Sequence, residues 1–286
     1  MKTVLSASRR TDIPAFYSDW FLDCLDQGQF ELTNPYNGRS RTVEVSRESV
    51  AAIVFWSKNY GPLLRRFERL SGWSCVFNFT LNSHDPLLEP GVLSLDERMG
   101  QLSSLVELFG PEAVRWRFDP VVFYYRDGRL HDNLHAFGPL LDFAAGLGIL
   151  ACTISFMDPY RKIDRRQRGV PDFAFEYPDS GKMIEVASRM AAMAADRGVK
   201  LLTCCEPEIA GAGVANVEAA GCIDHKLIER LYGEILSGRR DRGQRSASGC
   251  LCHESIDVGS YDSQPCRCDC LYCYANPVTD RNGDLS

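Results

Sequence analysis

Cysteine dominates the chemistry that this sequence can do. There are 12 cysteines, and nine of them lie in the last third of the chain. Cys266, Cys270 and Cys273 form a C-x3-C-x2-C pattern within Cys266-Arg267-Cys268-Asp269-Cys270-Leu271-Tyr272-Cys273-Tyr274-Ala275-Asn276. Thiolate is the usual ligand of iron–sulfur clusters, and three thiolates this close can hold three irons of a [4Fe–4S] cube. The fourth iron then lacks a protein ligand. An open position is what a metal needs to bind and transform a substrate. Tyr272, just before the last cysteine, could stack on a nucleobase. The competing reading is a zinc- or Fe–S-stabilised binding module, in which metal only staples the tail. A zinc knuckle requires neither Tyr272 nor Asn276.

The remaining clustered cysteines are Cys204, Cys205, Cys222, Cys250 and Cys252, with Cys268 inside the main motif. One of the adjacent pair plus Cys222, Cys250 and Cys252 makes four ligands. Four thiolates fit an auxiliary [4Fe–4S] cluster, zinc is equally allowed by count, and unligated thiols are the third reading. Cys268 is either a spare thiol or a competitor of Cys266. Cys24, Cys75 and Cys152 sit in apolar stretches and read as small hydrophobes. A disulfide framework needs an oxidising compartment, and no signal peptide is recognisable at the start.

The elements that must position these groups are short β-branched and aromatic runs ending in polar residues. They are Thr3–Ser8, Ala52–Ser57, Cys75–Leu81, Val114–Asp119, Ala151–Met157 and Lys200–Cys205, with Glu254–Ser260 as a weaker seventh and Arg41–Val45 as a short extra strand. Helical patterns lie between them. Ser94 to Glu97 is a capping box, Lys182–Arg197 ends at Gly198, and Phe16–Leu25 is a third helix. Strand, helix, strand in repetition implies a parallel sheet with right-handed crossovers. The expected fold is α/β, a full or partial (β/α) barrel. Residues 1–237 would form its body, and the Cys-rich segment 238–286 would complete it. Chemistry in such folds sits at the C-terminal ends of the strands.

Composition sets outer limits. Of the 286 residues 45% are hydrophobic and 24% charged, which excludes a disordered or fibrous chain. Net charge is −6, which argues against a dedicated nucleic-acid coat. The most apolar window, Phe143 to Phe156, is shorter than the about 20 residues of a membrane span. The expectation is a cytoplasmic protein with no membrane partner.

The tail motif resembles the radical S-adenosylmethionine (SAM) superfamily, whose signature is this spacing with an aromatic at that place. The resemblance implies that SAM chelates the open iron. One electron from the cluster then splits the sulfonium and leaves a carbon radical that acts on a substrate the sequence does not identify. It also implies a reductant such as flavodoxin or ferredoxin. In most of the superfamily the three cysteines follow the first barrel strand, whereas here they come last. A circular permutation reconciles this, with Glu254–Ser260 as first strand and Thr3–Ser8 as second. Cys-Leu-Tyr-Cys-Tyr at 270–274, Trp56-Ser57-Lys58-Asn59, Leu88-Glu89-Pro90-Gly91 and Ser94 to Arg98 are similar to segments of the spore photoproduct lyase branch. Ser6-x-Ser8-Arg9-Arg10-Thr11-Asp12-Ile13-Pro14-Ala15 with a terminal C-Y-A-N looks like a bacterial family of unknown function that carries its cluster at the C-terminus.

Further candidates stand at strand ends. Lys58 matches a lysine of the lyase-like segment and could pair with the SAM carboxylate. Arg9, Arg10 and Asp12 could hold SAM or substrate. Arg117 and Asp119 read as a barrel-interior ion pair or as functional groups, and Asp158 could touch substrate. The basic run Tyr160–Arg168 reads as a solvated loop rather than a nucleic-acid contact. Of the histidines, His253 beside Cys252 is the one plausible alternate ligand.

Overall fold

The computed structural model describes residues 1–33, 38–242 and 249–275. Its strands, in chain order, are β1 (Thr3–Ala7), β2 (Gln29–Thr33), β3 (Ser40–Glu44), β4 (Val50–Ser57), β5 (Cys75–Thr80), β6 (Val114–Val121), β7 (Phe123–Arg126), β8 (Arg129–Asp132), β9 (Ala151–Phe156), β10 (Phe173–Glu176), β11 (Lys200–Thr203), β12 (Val217–Ala219) and β13 (Ile256–Asp257). The helices are α1 (Ile13–Phe16), α2 (Ser18–Gln27), α3 (Gly61–Leu64), α4 (Leu95–Phe109), α5 (Phe137–Gly146), α6 (Arg161–Gln167), α7 (Ser180–Ala195), α8 (Pro207–Gly211) and α9 (His225–Tyr232). Among the described residues no helix is long and apolar enough to cross a membrane.

Eight strands form one sheet in the order β12-β11-β9-β6-β5-β4-β1-β13. Every neighbouring pair in it is parallel. Strand alternation divides its two faces. Leu5, Ile53, Phe55, Phe77, Trp116, Phe118 and Ile154 point to a helix-covered core in which Phe55 stacks on Phe77 and Trp116 on Phe137. Val4, Ala52, Val54 and Val76 point the other way, toward Ile223, Ile228 of α9 and Cys252.

All six principal strand expectations hold to within two residues at each end, and Glu254–Ser260 contains β13. Ser94 caps α4 with both bonds of the capping box. The third helix divides at Tyr17, where φ is −135°, into α1 and α2. Three features were not expected. β12 is a three-residue edge, β2 pairs with β3, and β7, β8 and β10 form a separate antiparallel sheet.

Of the two forms expected, a full or a partial barrel, the full one is not formed by strand pairing among the described residues. The sheet's edge strands, β12 and β13, have three and two residues, too few for a ladder between them. The segments beyond them meet instead, with His253 N–H donating to Ile223 O at 3.0 Å. Gly221 is what permits that approach, since a Cβ there would stand 2.5 Å from Leu251 O and 2.7 Å from its carbonyl carbon.

Two glycines therefore test the packing in opposite directions. Gly221→Ala should lower stability by about 1–3 kcal/mol through backbone overpacking. Gly100→Ala, in the middle of α4 with nothing within 4 Å of the new methyl, should raise it by up to about 1 kcal/mol. Urea unfolding of both variants reads the two signs.

Candidate metal centre at the strand ends

Asp257 of β13 anchors the tail. Its carboxylate accepts from Ser6 Oγ (3.0 Å), Ser8 Oγ (2.6 Å) and the Arg9 N–H (3.0 Å), all at the carboxyl end of β1. Arg9 and Arg10 also approach it as cations, at 3.8 and 3.9 Å. Arg10 Nη1 donates to Gly259 O at 3.0 Å. Tyr17 in turn donates its hydroxyl to Pro265 O at 2.7 Å, one residue before the cysteine motif.

Asp12 ties β1 to β4. It caps α1 through Ala15 N–H (3.1 Å) and accepts from Ser57 Oγ (2.6 Å) and Lys58 N–H (3.2 Å). Burial pushes its carboxyl up to about 6 against these donors. The Asp12 and Cys268 N–H groups both donate to the Cys266 thiol. The structure thus assigns Asp12 a positioning task at the cysteine loop.

The loop docks on the chain after β5. Leu271 N–H donates to Leu88 O (2.8 Å) and Gly91 N–H to Cys268 O (3.1 Å). A Cβ on Gly91 would lie 2.4 Å from Arg267 O. Cys266, Cys268, Cys270, Tyr272 and Cys273 pack together with Leu88, Val92, Val122 and Met157. None of these cysteines is in a disulfide. Burial pushes the Cys270 thiol well up, and Lys58 opposes that shift.

Lys58 lies at the centre of this contact. Its Nζ donates to Glu89 Oε1 (2.6 Å) and to the Tyr272 hydroxyl (3.0 Å), which itself donates to Glu89 Oε1. The ammonium also stands 5.4 Å from the Tyr272 ring centroid. Burial would lower the Lys58 pKa, but Glu89 and Cys270 hold it above the usual value. Arg98, fully buried on α4, places Nη1 3.8 Å from the other Glu89 oxygen. Glu89 Oε2 and both terminal nitrogens of Arg98 are buried without hydrogen-bond partners.

Both candidates have partners inside the chain. Lys58 pairs with the Glu89 carboxylate, and Tyr272 is 8% exposed with its hydroxyl committed to Glu89. Asn276 lies outside the described residues. Glu89 and Arg98 were read only as parts of resembling segments, and no spacing marks them as a buried pair.

Cys204, Cys205, Cys222, Cys250 and Cys252 gather separately, beside Arg115 and Arg117 of β6. Arg117 pairs with Asp119, which also accepts from Ser155 Oγ. His253 stacks on His225 at 4.6 Å and lies 3.2 Å from the His225 N–H. The run at Tyr160–Arg168 forms α6, anchored by buried Ile163. Among the described residues, no three His, Cys, Asp or Glu side chains are disposed to hold a single metal ion.

Fold and site together define an α/β protein with a parallel eight-stranded sheet and a cysteine-lined rim. The chain belongs to the family described as Domain of unknown function (DUF1848), whose model matches residues 4–275. No curated protein matches it. Among solved structures, D-hydantoinase from Bacillus sp. AR9 matches at 14% identity and a TM-score of 0.33, over 60% of this chain and 39% of that one. Dihydropyrimidinase from Brevibacillus agri NCHU1002 matches at 13% identity and the same TM-score, 0.33, over 60% and 38%. The chain thus spans about two fifths of the length of these structures.

Glu89 is the one carboxylate between two buried cations. Glu89→Gln should cost about 3–5 kcal/mol in urea unfolding, because it strands Lys58 and Arg98. Adding Lys58→Met should recover part of that loss. A double variant as unstable as the single would show that the lysine is not the stranded charge.

Proposed function

We propose that this protein is a radical SAM enzyme of circularly permuted (β/α) type. Cys266, Cys270 and Cys273 would hold three irons of a [4Fe–4S] cluster, and S-adenosyl-L-methionine would take the open position. The observation that carries the reading is the gathering of these three thiols at the carboxyl ends of parallel strands, with Lys58 beside Cys270 and Cys273. The donor set fits such a group. Lys58 shares the Glu89 carboxylate with Arg98 and also bears on Cys270, which puts a cation where an anionic thiolate-bound cluster would need one. The sheet order supports the permutation. With β13 moved to the front, its strands run in chain order from one edge to the other.

When bound, the reduced cluster supplies the electron that splits the sulfonium and starts radical chemistry. The residues of the chain supply position and charge. Asp12 fixes the cysteine loop against β1 and β4. Lys58 and Glu89 hold Tyr272 in one orientation and hold a positive charge beside Cys270. Arg10 fastens the turn after β13. The hydrophobic packing of Leu88, Val92 and Leu271 buries the Cys270 thiol and partly shields those of Cys266 and Cys273. A small flavoprotein or ferredoxin would deliver the electron.

Anaerobic reconstitution followed by reduction with SAM tests this reading. Cys270→Ala should lose about four irons per chain relative to the parent protein and should yield no 5′-deoxyadenosine or related SAM fragment. Cys268→Ala should keep both iron and turnover. Loss in Cys268→Ala with retention in Cys266→Ala would reassign the first ligand. A colourless protein carrying zinc and cleaving no SAM would replace the enzyme with a metal-stabilised binding module.

A further inference from the structure

The five remaining clustered cysteines form a closed ring of sulfur contacts. Cys204 Sγ lies 3.4 Å from Cys222 Sγ and 4.0 Å from Cys205 Sγ. Cys222 contacts Cys252, Cys252 contacts Cys250, and Cys250 contacts Cys205. They come from three distant segments: the end of β11, the stretch after β12, and the lead-in to β13. None is in a disulfide.

Cations surround the ring. Arg117, buried on β6, donates Nη1 to Cys222 Sγ at 3.0 Å while its other arm holds Asp119. Arg115, two residues earlier on the same face, donates to Gly221 O at 3.1 Å. Arg9 bears on Cys252 and Cys222 from the end of β1, and its Nε and Nη1 are buried without hydrogen-bond partners. Asp119, Asp224, Asp241 and Asp257 each stand near one of these arginines.

We infer that four of these five thiols hold a second iron–sulfur cluster, independent of the one proposed at Cys266, Cys270 and Cys273. Cysteine supplies every donor in the ring of sulfur contacts. A four-thiolate cluster carries net negative charge, which the arginines are placed to balance. The Arg117 N–H group on sulfur is the kind of contact that sets a cluster's potential. The donor set also spans the gap that strand pairing leaves. Cys222 continues from the β12 edge and Cys250 and Cys252 lead into the β13 edge, so the metal would join the two ends of the sheet. Tyr274, next to Cys273, donates its hydroxyl to Arg9 O at 3.0 Å, so Arg9 touches both cysteine groups.

The test uses the full chain, reconstituted anaerobically with iron and sulfide. The parent protein should bind about eight irons per chain, and Cys266→Ala/Cys270→Ala/Cys273→Ala should keep about four. Arg117→Lys should shift the reduction potential of one cluster, read by redox titration, and leave the other unmoved. Zinc in place of iron in the folded triple variant overturns the cluster. A folded triple variant free of metal overturns the site. If the triple variant fails to fold by circular dichroism, folded Cys222→Ala decides: loss of about four irons per chain relative to the parent supports the proposal and no loss overturns it.

Discussion

The side chain of Asp257 is the contact on which the arrangement of this protein depends. Only two residues of β13 pair with β1, Ile256 opposite Leu5 and Asp257 opposite Ser6. So short a ladder contributes little by itself. Asp257 adds three hydrogen bonds to its carboxylate from one turn of β1, and bonds to a charged group are each worth about 1.5–3 kcal/mol. Cys250 and Cys252 precede this anchor by seven and five residues, and Cys266 follows it by nine. Fixing Asp257 therefore fixes where the tail carries sulfur past the end of β1. The same carboxylate orients Arg9 and Arg10, which carry the constraint outward to Asp241 and Gly259.

Electrostatics at the rim run against the economy of an ordinary core. A carboxylate taken from water costs several kcal/mol unless its partners replace the lost hydration. Glu89 is 2% exposed and Arg98 is fully buried. Two cations meet one carboxylate here, an arrangement that hydrophobic packing would not select. The neighbouring loop brings Cys270 into the field of the same lysine, so the ion cluster and the cysteine loop are electrostatically linked. The glycine at position 91 has the same logic, because it lets the loop's carbonyls close to within contact of the body.

Much of this was legible in the sequence, for reasons that can be named. The main strands are fully buried runs of β-branched and aromatic residues, which leave a strong local signal. Ser94 and Glu97 form the box that their spacing implies. The small antiparallel sheet was missed although Asp127-Gly128 stands between β7 and β8 with both residues at positive φ, a hairpin signal. β12 is three largely exposed residues and carries little pattern. The cysteine motif announced itself by spacing. The buried triad of Lys58, Glu89 and Arg98 did not, because it joins three segments whose proximity is a property of the folded sheet alone.

Closure is where the two cysteine groups become one problem. A parallel sheet of eight strands that does not seal has two edges with unpaired backbone groups, and such edges need covering. Here the covering is done by chain that carries the thiols. The stretch after β12 and the lead-in to β13 exchange a backbone bond at Ile223 and His253, then bring Cys222 and Cys252 into contact one residue away on each side. Sulfur contacts of this kind contribute little as neutral thiols, and burial opposes their ionisation. Arg117 and Arg9 oppose that penalty from the sheet side. Were the proposed metal to bind there, it would join the two edges of the sheet and offset the sulfur charge in one step.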